Sequence, residues 1–341
     1  MLFPKTRFLE RFPVLVGIIF FLVVIAAMPV IGEDTADGLD EKDMNAFLKE
    51  SITFRDKFYD ASAVGNKVWM VGNNGMILHF NGNTSEFEKQ DSGTLFSLFD
   101  VSFVNKQTGF IVGKKGMVFK TRNGGSSWSM IRKPHENNLL SVHFVDAMNG
   151  WAVGDYGTIL HTSDGGKTWQ NQSLQEHEMH LNGCFFIDEN RGYIVGEFES
   201  IWETRDGGKS WEILHMEDME GVILFNVLFK NSETGIAVGQ NGVIFRTWNG
   251  GSNWERIKLD FSDNLLGIGI IDDQFTLVGM RGVFLEESDE RNFKFNESSG
   301  VPEWMYFAVE LKCGAAIAAG DHGRVLWSSR KNSQRKWQAL N

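Results

Sequence analysis

The chain is 341 residues long and carries a net charge of −11, with 33 Lys and Arg against 44 Asp and Glu. That balance excludes a nucleic-acid binder, because phosphate affinity comes from clustered Lys and Arg and no basic block offsets the carboxylates. Thirty-seven Gly, 28 Phe and 11 Trp against only 5 Pro suit many short strands joined by tight turns, and exclude a disordered or collagen-like polymer.

In chain order, three basic residues (Lys5, Arg7, Arg11) precede an uncharged run from Phe12 to Gly32. Residues 1–32 therefore read as a signal anchor or a signal peptide. No strong A-x-A site follows the run, which favours an uncleaved anchor, while Ala26 and Ala27 leave cleavage open. Either way the basic flank stays cytoplasmic and everything after Gly32 is exported, to a periplasm or an equivalent lumen. Residues 33–57 form an acidic linker, "EDTADGLDEKD", and a short helix with Met44, Phe47, Leu48 and Ile52 on one face. Whether a strand from residues 50–57 closes the last repeat is open at this stage.

From residue 58 to 341 one template recurs. Segments 109–128, 150–169, 192–211 and 235–254 share it over twenty positions, and weaker copies lie at 67–87, 275–293 and 315–337. The glycine closing an "xVG" element falls at Gly72, Gly113, Gly154, Gly196, Gly239, Gly279 and Gly320, in steps of 40 to 43 residues. Each copy reads as four short strands: in the third, 139–146 alternates apolar and polar, 150–154 is a compact apolar run, 157–163 alternates again and 169–173 closes the unit. The prediction is an all-β, seven-bladed β-propeller of four-stranded antiparallel blades, first strand innermost, with no second globular domain. Cys184 and Cys313 fall in separated blades, so two free thiols are expected rather than a disulfide.

Four copies contain Thr-x-Asp/Asn-Gly-Gly-x-x-Trp, at Thr121–Trp128, Thr162–Trp169, Thr204–Trp211 and Thr247–Trp254. This resembles the Asp-box of bacterial neuraminidase-type repeats. Its key positions are Asn123 and Trp128, Asp164 and Trp169, Asp206 and Trp211, Asn249 and Trp254. The acid or amide should accept turn N–H groups, the glycines supply conformations closed to other residues, and the Trp bury its ring between strands, which makes the box a structural staple. Asp-boxes behind an export segment, with "GxxVG" and "GxIxxT" in seven blades, look most like the photosystem II stability and assembly factor family of chloroplasts and cyanobacteria. The resemblance implies a non-catalytic scaffold that binds a membrane-protein complex or its assembly intermediate on the lumenal or periplasmic side. Chloroplast members are expected to present basic surface, whereas this domain is acidic.

The turns after each "VG" glycine vary where their frame repeats: Asn73-Asn74, Lys114-Lys115, Asp155-Tyr156, Glu197-Phe198-Glu199, Gln240-Asn241, Met280-Arg281 and Asp321-His322. They share one face with the connections between blades, opposite the Asp-box turns, and are the candidate partner-binding ring. The competing reading is of merely solvated hairpin turns. A sialidase constellation of three arginines, a Tyr-Glu nucleophile pair and an acid/base Asp is not recognisable, and Tyr193 occupies a core slot. A carbohydrate-active or carbohydrate-binding propeller is the alternative. "EHEMH" (176–180) contains metal-ligand types without further matched spacing, and no P-loop is present, so neither metal, nucleotide nor other cofactor is expected. The protein is expected to be a monomer.

Overall fold

A computed structural model describes residues 41–132, 137–174, 178–215, 221–296, 300–331 and 334–341. The apolar run 12–32 lies outside them, and among the described residues no helix is long and apolar enough to cross a membrane. A helix, α1 (Glu41–Ser51), leads into seven four-stranded antiparallel sheets. The first blade comprises β1 (Phe58–Val64), β2 (Lys67–Gly72), β3 (Ile77–Asn81) and β4 (Glu86–Gln90), paired in that order. The later blades repeat it, with first strands Leu98–Phe103, Leu139–Phe144, Leu181–Phe186, Leu224–Phe229, Leu265–Ile271 and Met305–Glu310.

All seven first strands line a central channel. No ladder joins one first strand to the next, and side chains bridge several of them. Asp60 and Ser62 accept the backbone N–H groups of Val101 and Phe103, and Asp100 and Ser102 accept those of Val142 and Phe144. Ser141 and His143 do the same for Cys184 and Phe186. Burial lowers His143 to a pKa of about 4, which keeps its Nδ1 free to accept.

Three aromatic groups lock each of four successive seams. The second-strand rings of Trp69, Phe110, Trp151 and Tyr193 stack on Phe103, Phe144, Phe186 and Phe229 of the next blade, with centroids 3.5 to 4.5 Å apart. Each phenylalanine then meets the Asp-box Trp of its own blade edge-on: Trp128, Trp169, Trp211 and Trp254, at 88 to 90°. A side chain on Gly109, Gly150, Gly192 or Gly235 would strike these phenylalanines at 2.3 to 2.6 Å, which explains the first glycine of "GxxVG".

The "VG" glycine has a different cause. A Cβ there would lie 1.8 to 2.4 Å from the backbone carbonyl of the residue just before the first strand, Lys57, Ser97, Asn138, His180, Ile223, Asn264 or Trp304. That same carbonyl accepts the N–H of the residue after the glycine in all seven blades, at 2.8 to 3.2 Å. The tight clasp displaces one residue of each first strand into a β-bulge, a register shift seen seven times. The strict alternation expected for 139–146 is therefore broken at its second residue, and Leu139, Val142 and Phe144 face the core at spacings of three and two.

The last blade is complete in itself, its fourth strand Gln334–Ala339 pairing with Val325–Lys331. Residues 50–57 contribute no strand to it. Instead Met44 and Leu48 of α1, with Ile52 just after it, are buried with Phe58, Phe80 and Phe87 of the first blade and Trp327 and Leu340 of the last. Cys184 is buried beside Ser141 and Cys313 lies in the turn after its blade's first strand; both are free.

Gly154→Ala is expected to lower unfolding free energy by about 1–3 kcal/mol, because Asn138 O sits where the methyl group must go. Urea denaturation of the two proteins measures it; an unchanged midpoint would show that the clasp yields without cost.

Candidate functional site

The structure separates two faces. One carries the Asp-box hairpins, and their hydrogen bonds are those of a staple. Asp164 Oδ1 accepts the N–H of Thr168 at 2.9 Å and the hydroxyl of Thr162 at 2.9 Å, and Thr162 Oγ1 in turn accepts the N–H of Gly166 at 2.8 Å. Asp206 with Ser210, Asn123 with Ser127 and Asn249 with Asn253 repeat the backbone bond at 2.9 to 3.0 Å. The turn N–H groups, Thr168 first, pull Asp164 down to about 2.

The other face gathers the seven turns that follow the "VG" glycines. Each is a tight turn whose second residue is left-handed: Asn74, Lys115, Tyr156, Phe198, Asn241, Arg281 and His322, at φ of 54 to 60°. Left-handed backbone is uncommon for Lys, Tyr, Phe and Arg, and here it throws them outward. Six of the seven are exposed, Phe198 half-buried. Where six turns place glycine third, the fourth blade places Glu199, buried and also left-handed, beside His215 and Arg256 at 3.4 Å.

The first member of each pair behaves differently from the second. Asn73, Asp155, Glu197 and Gln240 accept, through their side chains, the N–H groups of Lys57, Asn138, His180 and Ile223, at the residue whose carbonyl forms the clasp. Asp321 is buried and pairs with Lys57 at 2.7 Å. The first four fasten the turn to the start of their own blade's first strand, whereas Asp321 ties the last blade to the first. Lys114 is exposed and Met280 half-buried.

On this same face the seven bulges place Tyr59, Phe99, Leu140, Asn182, Phe225, Leu266 and Tyr306 around the mouth of the channel, a space of about 470 Å³. Tyr306, Tyr59 and Phe99 form a continuous aromatic arc with centroids 5.8 Å apart. Outside that arc lie the exposed Phe54, Leu95 and Trp304, and two cations rest on rings, Arg55 on Phe54 and Lys115 on Phe96. Sequence reasoning found the turns and missed the bulged residues. Their signal was the apolar spacing of three then two in six of the seven first strands, as in Leu98, Val101 and Phe103.

Inside the throat the Asp60 and Asp100 carboxyl groups hydrogen-bond to each other, and burial together with the Asp100 charge raises Asp60 well above the usual carboxylate range. Of the "EHEMH" segment, residues 175–177, with Glu176 and His177, lie outside the described residues, and His180 Nδ1 is 2.9 Å from Asp155 Oδ1.

The architecture is that of a seven-bladed Asp-box propeller with a stapled face and a separate aromatic mouth. Residues 122–182 and 177–270 match the family model of the photosynthesis system II assembly factor YCF48. Its backbone resembles that of YCF48 bound to a D1 peptide, with 20% identity and a TM-score of 0.65 over 81% of this chain and 94% of that one. YCF48 from Cyanidioschyzon merolae is 15% identical, with a TM-score of 0.64 over 80% of this chain and 95% of that one. The GH74 enzyme of Niastella koreensis is 9% identical with a TM-score of 0.69, over 84% of this chain and 54% of that one. At these identities the likeness is one of fold. No protein of curated function matches the sequence.

Two carboxyl groups predict opposite pH dependences. Asp164 is lowered on folding, so its contribution is full above its unfolded pKa near 4 and is lost as pH falls toward 2. Asp164→Ala should thus melt below the parent at pH 7, with the gap closing near pH 2. Asp60 is raised on folding, so its neutral-state bonding supports the fold below pH 4 and is lost as pH rises through the folded pKa. Asp60→Asn should equal the parent near pH 4 and exceed it by about 1 kcal/mol at pH 8. Melting temperatures across pH 2–8 decide both; parallel curves for parent and variants would contradict the assignments.

Proposed function

We propose that this protein is a non-catalytic scaffold that binds a membrane-protein partner during its assembly, through the face formed by the channel mouth and the left-handed turns. The single observation that carries the reading is the coincidence, on one face, of the seven bulged mouth residues and the seven outward turn residues. Aromatic groups and cations held on rigid backbone are the types that anchor interfaces at little ordering cost. The match to the YCF48 family and the D1 peptide held by a related propeller support a partner of the photosystem II kind. The run 12–32 anchors the chain, so that the propeller works as a monomer in the periplasm or a thylakoid-lumen equivalent, close to the membrane.

The likeness to GH74 enzymes supports a carbohydrate-active reading only at the level of fold. Asp60 and Asp100 are not such a pair: a glycosidase sets its two carboxyl groups roughly 5–9.5 Å apart to bracket the scissile bond, whereas these two bond to each other.

Crosslinking the full chain in native membranes tests the proposal. A membrane-protein subunit should be recovered, and Lys115→Glu with Arg281→Glu should cut its yield about tenfold while the circular dichroism spectrum stays that of the parent. Equal recovery with this pair and with Tyr59→Ser/Phe99→Ser would remove the face from consideration.

A further inference from the structure

At the four ring-locked seams the carbonyl of the first Asp-box glycine is seated on donors of the preceding blade. Gly124 O accepts from Trp69 Nε1 at 3.0 Å, Gly165 O from Lys120 Nζ at 2.8 Å and Gly207 O from Trp151 Nε1 at 3.1 Å. Gly250 O accepts from Tyr193 and Arg191. The next seam breaks the pattern on both sides. Ile236 stands where those blades carry Trp69, Phe110, Trp151 or Tyr193, and Glu290 follows Gly279 by the same eleven residues that separate Gly250 from Gly239. The hairpin is also tighter, Asp289 pairing directly with Asn292.

What remains on the Asp-box face is a cleft of about 320 Å³, walled by Arg246 and Trp248 of the fifth blade and Glu287, Asp289 and Glu290 of the sixth. Arg246 occupies the strand position of Lys120, the donor at an intact seam, and is 3% exposed. Its Nη1 lies 2.5 Å from Glu287 Oε1 as an ion pair, but among the described residues neither Nη1 nor Nε has an acceptor in hydrogen-bond geometry, and neither does the buried indole N–H of Trp248. An unpaired buried donor is costly, more so when charged, so the cleft is a socket short of acceptor oxygen.

The surroundings select that acceptor. The carboxylates of Glu287, Asp289 and Glu290 disfavour an anion, and two guanidinium groups, Arg246 and Arg291, already lie over the Trp248 ring at 5.3 and 5.2 Å, where a sugar would stack. A neutral carbonyl flanked by positive charge fits. The intact seams hold that chemistry as a glycine turn, followed by Lys in "DGGKT" and "DGGKS". We propose that this cleft is an open Asp-box socket that docks a basic glycine turn of a partner protein, its main-chain carbonyl on Arg246 Nε–H and its cation against Glu290. The site lies on the face opposite the channel mouth and is independent of the function proposed for it.

The test titrates the full chain, ¹⁵N-labelled at tryptophan, with an acetylated and amidated peptide copying residues 162–169. The indole N–H signal assigned by Trp248→Phe should shift saturably, and a peptide with alanine at both glycines should leave it in place. Arg246→Gln should weaken binding about tenfold or more. Glu290→Lys, a change at an exposed position that leaves the core intact, should weaken it about threefold at low salt. A signal unmoved at peptide concentrations on the order of 10 mM would overturn the proposal, as would one that responds to inorganic phosphate more than to peptide or ignores the glycine-to-alanine change.

Discussion

The rest of the molecule depends on the aromatic contact between neighbouring blades. A four-stranded sheet buries only one face against its neighbour, and its inner strand cannot pair with the next inner strand, so the seam must be closed by side chains. At the four intact seams a flat ring from one blade lies on a phenylalanine of the next, and the Asp-box Trp closes over that phenylalanine's edge. Offset and edge-on contacts of this kind add roughly 0.5–1.5 kcal/mol each beyond area burial. Repetition multiplies a modest term into a ring.

That arrangement consumes the residues on one side of the propeller and releases those on the other. The Asp-box face is occupied with glycine carbonyls, Trp donors and Thr-Asp bonds. The opposite face needs only the glycine clasp and the first residue of each turn to hold the second strand against the start of the first, and the outward second residues of the turns are available for contact. Cations and carboxylates are interspersed on that face: Lys115 and Arg55 rest on rings, and Arg281 pairs with Asp263.

Much of this was legible in the sequence because the repeat compares the protein with itself. Glycines at fixed spacing, the Asp-box and the variable pairs gave strand order, faces and the inward slot of Tyr193 directly. Two things were not legible. The bulge was concealed because "LLSVHF" reads as alternation unless the spacing of Leu139, Val142 and Phe144 is counted, and with it went the mouth residues, Tyr59 and Phe99 among them. The division of labour within each pair was concealed because Asn, Asp, Gln and Glu suit both a solvated turn and a backbone acceptor. Only the clasp, which places Asn73 or Gln240 beside the N–H at the start of its blade, shows which.

No blade borrows a strand from another, so the closing seam between the last and first blades has no backbone ladder across it. α1 covers it: Met44 and Leu48, with Ile52 just beyond the helix, share one core cluster with Phe58 and Phe87 of the first blade and Trp327 and Leu340 of the last. The helix is also the piece of the propeller unit through which any pull from the preceding chain enters. Tension on the N-terminal side is therefore delivered to a seam held by side chains and by the bond from Lys312 N–H to Gly65 O, and α1 is the first of the described elements positioned to register it.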